Sequence, residues 1–498
     1  MITAASATQR LRRLNTPVLI VLVGAIFRIT ALTVDVRFLP DEALFTTFAR
    51  DAAVYGEWLL PGPLDKPPLA IYANALALTL FVVQVNADGV LDFPVRLGEF
   101  AARVPNVFAG IILIAVVYAL ARQLYRDRVV AAWAALLVAC APPLIRFSAS
   151  AFTDSLMLLF MTTSLLAAVR GRLLWSGVWL MLGIAAKPQA IYALPLLLAL
   201  KAALIGRFTL RETGRFALPL LIGAGALLIW DLLRAPATSW WALALANNNP
   251  ARLIRANEVG PRLLAWVIHG RFVFGTATIA FLVAPLLTIS TGIIRQARSR
   301  APRRATLIDM LLLTFALAYL LLHWLVAFNT YERYLLPLLP PLALIGARGS
   351  VALWRGLGRY ITGPELTLLA GAFAFALITS GFDGGRLPDP ARAEQAGIDE
   401  VAAYLNDQPV GTIIYDRWLG WQLGYYLGPW TDKRRVYHPT PGALVRDAAQ
   451  QPDPAPRFFP APADQPVGPW LTALRAAGFT VELDLTLDQF VVYRLLPP

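Results

Sequence analysis

The chain has 498 residues, of which 57% are apolar and only 15% charged, with a mean hydropathy of +0.59. Soluble domains average about 45–50% apolar and about 25% charged residues, so the composition excludes a disordered chain and an ordinary cytosolic enzyme. One cysteine and three scattered histidines exclude a disulfide framework and a Cys- or His-rich metal site. We attribute the net charge of +13 to basic loops of a membrane protein, not to nucleic-acid binding.

Twelve apolar segments of helical length follow one another along the first 381 residues. They lie at 16–34, 68–86, 98–121, 129–147, 155–169, 173–186, 189–205, 216–233, 265–294, 307–328, 334–347 and 365–381. Arginine precedes the first segment at positions 10, 12 and 13, and no cleavable signal is evident, so we expect a cytoplasmic N-terminus. Basic clusters at 122–128, 170–172, 201–215, 295–304 and 348–359 predict which later loops are cytoplasmic.

The charge pattern also predicts that segment 68–86 does not cross the membrane. The loop that starts at residue 35 is then outside and the basic cluster at 122–128 inside, which requires an odd number of crossings between them. Two apolar segments lie there, and segment 68–86 begins with prolines and ends in polar residues. We therefore predict that it lies along the outer interface, as a juxtamembrane helix. This leaves eleven crossings of the twelve segments.

The part at 382–498 differs in kind, because proline and glycine are dense and apolar runs are short. Alternating patterns at 410–417 and 490–495 predict strands, and the spacing at 470–479 predicts a helix that ends near Gly478. We expect a small α/β domain on the outer face. The predicted domains are thus 1–381, with a first outer loop at 35–97, and 382–498.

Ionisable residues near membrane segments are functional candidates, because charge is costly there. Asp41 and Glu42 follow Pro40 at the predicted start of a helix, where acidic side chains also serve as simple caps. Asp154 begins a later segment on the same predicted side, so two acids could meet at the outer interface and act as a base or bind a metal.

Basic residues accompany these acids on the predicted outer side. Lys66 and Lys187 are each followed by proline and could hold a lipid phosphate, although a lysine at a helix end also simply extends its ammonium towards water. Arg271 lies beside His269 and Arg262, and Arg333 and Tyr334 precede another apolar segment.

The first outer loop carries a family resemblance. Residues 40–72 read PDEALFTTFARDAAVYGEWLLPGPLDKPPLAIY, which resembles the first loop of GT-C glycosyltransferases, in the branch of protein O-mannosyltransferases and lipid A aminoarabinose transferases. Weaker resemblances continue in AARVPN at 101–106, FTDSLMLLF at 152–160, AAKPQA at 185–190 and RYLLPLLPPLAL at 333–344. Two of these depart from the family pattern, since Val104 replaces a leucine and AAKPQA lacks the family threonine and glycine.

The resemblance implies an all-α, GT-C-like polytopic fold, and the apolar segments and loop charges predict about eleven transmembrane helices in it. It also implies transfer of one sugar, with inversion, from a polyprenyl-phosphate donor to a protein, lipid or glycan acceptor outside the membrane. Asp41 would be the base, Glu42 a less certain partner and Asp154 a supporting acid. The residues expected to bind the donor phosphate or lipid are Lys66, Arg103, Lys187, Arg271, Arg333 and Tyr334.

No cofactor is expected, and a divalent metal is possible but not required. A polytopic transporter or flippase for an anionic glycolipid is the alternative from another class, and a non-catalytic glycolipid-binding scaffold is a third. The sequence identifies neither the sugar nor the acceptor, and it does not determine the oligomeric state or the role of the C-terminal domain.

Overall fold

The computed structural model describes residues 4–249, 252–271, 273–279, 283, 286, 304–358, 360, 363–384, 390–451 and 455–498. Helices dominate the part before residue 385. Many of them lie within a few residues of the predicted apolar segments, but α1 begins 12 residues before its segment and the helix predicted at 334–347 runs on to Leu357. The helices of this part are α1 (Ala4–Leu32), α2 (Pro40–Tyr55), α3 (Leu69–Phe81), α4 (Val95–Tyr125), α5 (Arg128–Cys140), α6 (Pro142–Ser148), α7 (Asp154–Val169), α8 (Leu173–Ala186), α9 (Leu194–Leu204), α10 (Leu210–Leu233), α11 (Trp240–Asn248), α12 (Val259–Gly270), α13 (Arg304–Leu325), α14 (Leu339–Leu357) and α15 (Gly363–Gly384).

Irregular helices and short strands connect some of these elements. Residues Pro188–Ala193, Ala256–Glu258 and Glu332–Leu338 form 3-10 helices. The strands of this part are β1 (Gln84–Val85), β2 (Leu91–Asp92) and β3 (Val273–Thr276). The prediction of one continuous helix at 265–294 is wrong at its start, because α12 ends at Gly270 and β3 follows inside that segment. Most of the segment beyond residue 279, and the basic cluster at 295–304 apart from Arg304, lie outside the described residues.

The chain is a multi-pass membrane protein. Within the described ranges, five helices are long and apolar enough to cross a membrane, or six if the bent pair α5 and α6 is one span. The five are α4, α10, α13, Glu332–Leu357 and α15, and several shorter apolar helices accompany them. Length alone does not decide which of the shorter helices cross, so the count of eleven crossings stays a prediction.

Segment 129–147, predicted as one helix, is broken in the structure. α5 and α6 meet at 57°, because Pro142 and Pro143 supply no backbone N–H to continue the hydrogen bonding of α5. The fully buried guanidinium of Arg28 in α1 donates to the carbonyl oxygens of Val138 and Ala139, both at 3.1 Å. The buried charge thus satisfies carbonyl groups that the break would leave unpaired.

The described chain divides into two compact units. The first contains Met1–Thr33, Leu59–Ala73 and Arg103–Leu387, and the second contains Val34–Trp58, Asn74–Ala102 and Pro388–Pro498. Most of the first outer loop is therefore grouped with the C-terminal residues. The predicted boundary at residue 381 stays a prediction.

The C-terminal part of the second unit is an α/β fold around a five-stranded sheet. Its helices are α16 (Pro390–Ala393), α17 (Ile398–Asn406), α18 (Gly420–Tyr426), α19 (Pro441–Gln450) and α20 (Gly468–Ala476), and its strands are β4 (Ile413–Asp416), β5 (Arg434–Tyr437), β6 (Arg457–Pro462), β7 (Thr480–Thr486) and β8 (Phe490–Leu496).

The strand order is β5-β4-β6-β8-β7, with β4 parallel to β5 and β6, and β8 antiparallel to β6 and β7. Tyr415, Phe459 and Leu474 are among the buried residues of its core. The predicted α/β domain is confirmed, and so are the two predicted strands and the helix before Gly478, which has a left-handed φ of 92°.

Candidate active site

In the second unit, the two acidic residues at the start of α2, Asp41 and Glu42, lie in different environments. Glu42 is fully buried, and its Oε2 accepts a hydrogen bond from the backbone N–H of Leu39 at 3.0 Å and pairs with Arg392 at 3.0 Å. It therefore caps the helix and compensates a buried cation. Asp41 is half-buried beside it in the same first turn. The geometry gives Glu42 a structural role and leaves Asp41 as the candidate base.

Contacts with α18 hold the helix that carries Asp41. The backbone N–H of Phe38 donates to the Tyr426 hydroxyl at 2.7 Å. Further along α2, the guanidinium of Arg50 donates to the carbonyl oxygens of Gly424 and Tyr425 at 3.0 and 3.2 Å. The residue Phe38 before α2 and the side chain of Arg50 within α2 are thus both joined to the same short helix of the C-terminal fold.

Glu99 is the centre of a buried polar network in the same unit. Its carboxylate accepts hydrogen bonds from the Tyr426 hydroxyl, from Arg37 at 3.0 Å and from Arg96. The network pairs Arg37 and Arg96 with one carboxylate and fixes the residues that precede α2.

In the first unit, Asp154 and Lys187 form a buried ion pair. Asp154 begins α7, Lys187 follows α8, and Lys187 Nζ lies 2.6 Å from Asp154 Oδ1. The side chains are only 1% and 9% exposed. Asp154 Oδ2 is also buried and has no hydrogen-bond partner among the described residues. Since buried carboxylate oxygens are normally paired, this atom is available to a ligand or a water molecule.

Two other cations, Lys66 and Arg333, lie close enough to Lys187 to affect its charge. Burial is the main cause that lowers its pKa, Asp154 raises it, and Arg333 and Lys66 lower it further. Its ammonium also lies 5.5 Å from the ring centroid of Tyr334. The predicted residues Lys66, Asp154, Lys187, Arg333 and Tyr334 are therefore brought together.

A cavity of about 320 Å³ opens beside these residues. Polar groups at its wall include Asp65, Lys66, Lys187 and Asn248, and Lys66 Nζ pairs with Asp65 Oδ2 at 2.7 Å. The rest of the wall is largely apolar or aromatic, and its members include Ile191, Tyr192, Leu245, His323, Phe328 and Tyr334. Two cations above an apolar wall suit a phosphate that is attached to a lipid.

The segment that carries Arg333 and Tyr334 is fixed from two sides. Glu332 pairs with Arg146 of α6 at 2.9 Å, and the Tyr319 hydroxyl donates to the Tyr334 carbonyl oxygen at 2.9 Å. The guanidinium carbon of Arg333 lies 4.9 Å from the ring centroid of Phe152. A cation is thereby held against an aromatic face close to Asp154.

Asn106 is a site residue that sequence reasoning missed. It is fully buried in α4, and its amide donates to the carbonyl oxygens of Ser150, at 2.8 Å, and Phe152. It therefore fixes the loop that leads into Asp154. The available signal was its place at the end of the AARVPN motif at 101–106, directly after a proline.

Two other predicted lipid-binding residues lie elsewhere. Arg103 is buried in α4 and Arg271 is exposed at the end of α12, and neither is among the described residues that line the cavity. Their predicted binding roles, like the convergence of Asp41 with Asp154, stay predictions. The neighbouring Arg262 donates to four carbonyl oxygens at and after the end of α13, those of His323, Trp324, Val326 and Phe328, so it acts as a helix cap.

Within the described ranges, no group of three or more His, Cys, Asp or Glu residues could hold a metal ion. The expectation that a divalent metal is not required remains a prediction.

The chain resembles known proteins both in sequence and in fold. Residues 18–187 match the family model of dolichyl-phosphate-mannose-protein mannosyltransferases. The undecaprenyl phosphate-α-4-amino-4-deoxy-L-arabinose arabinosyl transferase 2 of Proteus mirabilis is 25% identical over 337 residues, which are 63% of this chain and 55% of the relative. The chain thus spans about half the length of this curated relative.

Two solved structures share the fold. ArnT from Cupriavidus metallidurans bound to undecaprenyl phosphate superposes with a TM-score of 0.58 at 14% identity, covering 96% of this chain and 97% of ArnT. The Archaeoglobus fulgidus oligosaccharyltransferase tethered to an acceptor peptide gives 0.53 at 11% identity, covering 90% and 69%. These matches confirm the predicted likeness to GT-C glycosyltransferases, in the branch that resembles lipid A aminoarabinose transferases.

Proposed function

We propose that this chain is an integral-membrane glycosyltransferase that moves one sugar from a polyprenyl-phosphate carrier to an acceptor at the outer face of the membrane. The observation that carries the proposal is the cavity in which Lys66 and Lys187 lie above an apolar and aromatic wall. A polyprenyl-phosphate sugar has the matching chemistry, with an anionic phosphate between a lipid chain and a sugar.

Asp41 takes the proton from the acceptor hydroxyl in the proposed reaction. The acceptor oxygen forms a bond to the anomeric carbon while the bond from that carbon to the carrier phosphate breaks, so the configuration inverts. The electron pair of the breaking bond leaves with the polyprenyl phosphate. Lys66 and Lys187 stabilise the charge that develops on this leaving phosphate, which is a large contribution in a site poor in water.

The Asp154–Lys187 pair has a supporting role in this scheme. Asp154 holds the Lys187 ammonium at 2.6 Å and limits the direction in which it can point. Because a phosphate is already a good leaving group, one base and positioned cations are sufficient without a nucleophilic histidine or cysteine. We expect turnover to continue when divalent metals are chelated.

The acceptor is open within this proposal, and its candidates are a protein hydroxyl, a lipid or a cell-envelope glycan. The family match points to protein mannosylation and the Proteus relative to an aminoarabinose donor. The site and the C-terminal domain are proposed to face outward, with the N-terminus in the cytoplasm.

Transfer by purified protein in lipid nanodiscs tests the proposal. The donors are undecaprenyl phosphate carrying radiolabelled 4-amino-4-deoxy-L-arabinose or mannose, and the acceptor source is a cell-envelope extract. We expect covalent transfer from at least one donor, with a loss of about 100-fold or more in Lys66→Met. The matched control is Arg252→Met, since Arg252 forms an exposed ion pair with Glu258.

Two results would contradict the proposal. One is a Lys66→Met variant that keeps more than about a tenth of wild-type transfer, below the loss expected for a group that stabilises the transition state. The other is movement of either donor across proteoliposomes without a covalent product, which would favour the transporter or flippase.

A further inference from the structure

Arg234 and Asp231 form a buried ion pair at the end of α10 that faces no ligand in the proposed mechanism. Arg234 Nη1 lies 3.1 Å from Asp231 Oδ1, and the two side chains are 0% and 8% exposed. The Arg234 guanidinium also donates from Nε to the Leu60 carbonyl oxygen at 3.2 Å and from Nη2 to that of Gly62 at 2.6 Å. One side chain therefore joins α10 to the backbone of residues 60–62.

The backbone that Arg234 holds is in a costly conformation. Leu60 has a φ of +52° although it is not glycine, and its side chain is 1% exposed. Such left-handed conformations persist only where surrounding contacts enforce them. Only three residues separate Gly62 from Lys66. The contacts of Arg234 with this turn therefore determine where the Lys66 side chain enters the cavity.

Asp231 contacts α11, a second element that contributes to the cavity wall. Its Oδ1 also accepts a hydrogen bond from the backbone N–H of Trp240, the first residue of α11, at 3.2 Å. Asn248, the last residue of α11, lies on the cavity wall with its Nδ2 3.4 Å from Asp65 Oδ2. Asp65 in turn pairs with Lys66. The Asp231–Arg234 pair is thus connected to Lys66 by two routes. One runs through residues 60–62, and the other runs through α11 and Asp65.

We propose that Asp231 and Arg234 are a positioning pair that sets the affinity of the cavity for the carrier phosphate. The pair touches no reacting atom and acts through Lys66 and α11. Arginine suits this role because its planar fork donates to two carbonyls and a carboxylate at once, which the single ammonium of lysine does not reproduce. The inference rests on the proposed function for the identity of the phosphate ligand.

The experiment uses full-length protein in nanodiscs with undecaprenyl phosphate as the binding probe. Arg234→Ala is expected to weaken binding by about tenfold or more and to raise the donor KM by a similar factor, because Lys66 is no longer fixed. The acceptor KM should not change. Arg234→Lys should give no rescue, whereas a purely electrostatic role would be restored by lysine. Arg252→Ala is the matched control.

A second readout needs no donor at all. Lys66 is 14% exposed, so an impermeant amine reagent should modify it slowly in the wild type and several-fold faster in Arg234→Ala, as measured by mass spectrometry. If Arg234→Ala does not fold, Arg234→Lys and Asp231→Asn supply the same two measurements.

The two readouts separate this inference from the proposed function. Unchanged Lys66 modification together with a donor affinity within twofold of wild type would refute the positioning pair. Wild-type protein that neither binds undecaprenyl phosphate nor transfers sugar would contradict the proposed function, and Lys66 modification would then decide the positioning role alone.

Discussion

The buried carboxylates of Glu42 and Asp154 are both paired with a cation, but they differ in their second oxygen. Glu42 Oε2 accepts from Leu39 and pairs with Arg392 at the start of α2, and neither Glu42 oxygen is among the buried atoms without a hydrogen-bond partner in the described residues. Asp154 is paired through Oδ1 alone, and its buried Oδ2 has no hydrogen-bond partner among the described residues. A carboxylate that only compensates a cation does not need such a free oxygen. This difference favours a structural role for Glu42 and a place in the reaction for Asp154.

Asp41→Asn should lower transfer by about 10²–10⁴-fold, since a positioned general base contributes that much. Glu42→Gln is the matched control in the same helical turn. The glutamine oxygen still accepts from Leu39 and Arg392, but the buried Arg392 loses its anion. We therefore expect a lower unfolding temperature and a rate per folded protein close to that of the wild type. Initial rates with radiolabelled donor measure both variants. If Asp41→Asn keeps more than about a tenth of wild-type activity, Asp41 is not the base.

The Asp154–Lys187 pair allows stability and activity to be separated. Lys187→Met leaves a buried carboxylate without its cation, which costs about 3–5 kcal/mol, so the unfolding temperature in detergent should fall clearly. The double variant Asp154→Asn, Lys187→Met removes both charges and should recover most of that loss. Its transfer should nevertheless stay at least about 100-fold low, because the cation near the phosphate is missing. An active double variant would show that the pair is purely structural.

For individual helices and strands, the sequence predicted the features that depend on residues close together in the chain. Pro40 followed by two acids predicts the start of α2, and alternation predicts β4 and β8. The break between α5 and α6 was missed, although two adjacent prolines were a visible signal, because the whole run at 129–147 is apolar. The compensating guanidinium of Arg28 comes from more than a hundred residues earlier in the chain, and no local pattern predicts such a contact.

Tyr426→Phe tests whether the attachment of α2 to α18 matters for function. The hydroxyl accepts from Phe38 and donates to Glu99, so its removal leaves buried groups unpaired at a cost of about 1–3 kcal/mol each. We expect kcat to fall about tenfold, since a displacement of about 1 Å can cost 10²-fold, while the donor KM stays constant.

The control for this prediction is Tyr437→Phe, a change in an exposed tyrosine of the same unit whose hydroxyl accepts from Arg417. It should leave both constants unchanged. Equal losses of kcat in the two variants would indicate a general effect on the C-terminal fold and would contradict a specific role in holding α2.

For the whole molecule, charge patterns and family likeness identified the class of protein and the residues beside the cavity. These patterns could not predict the contacts that hold the cavity residues in place. Asn106 and Arg234 donate to backbone carbonyl oxygens that lie far away in sequence, and Asp231 accepts from the backbone N–H of Trp240. Backbone groups occur in every residue, so the sequence does not show which of them a side chain will contact. Sequence identified chemically distinctive residues, whereas the residues that orient them required the folded chain.

The position of segment 68–86 decides the topology of the whole chain. α3 has 13 residues and is about 20 Å long, but α8 and α9, which are predicted to cross, are about as short, so length does not decide its position. A hairpin follows, in which β1 pairs with β2 and Asp88 is exposed. The loop charges predict that this helix lies along the outer interface, and the hairpin should then be reachable from outside.

Cysteine labelling in whole cells measures this directly. The background is Cys140→Ala, which removes the single, buried thiol. We expect an impermeant maleimide to label Asp88→Cys in intact cells, because the loop charges predict that the hairpin lies outside. Arg211→Cys, at an exposed position in a predicted cytoplasmic loop, is the control and should be labelled only after permeabilisation. If Asp88→Cys also requires permeabilisation, segment 68–86 crosses the membrane, and the count of eleven crossings is wrong.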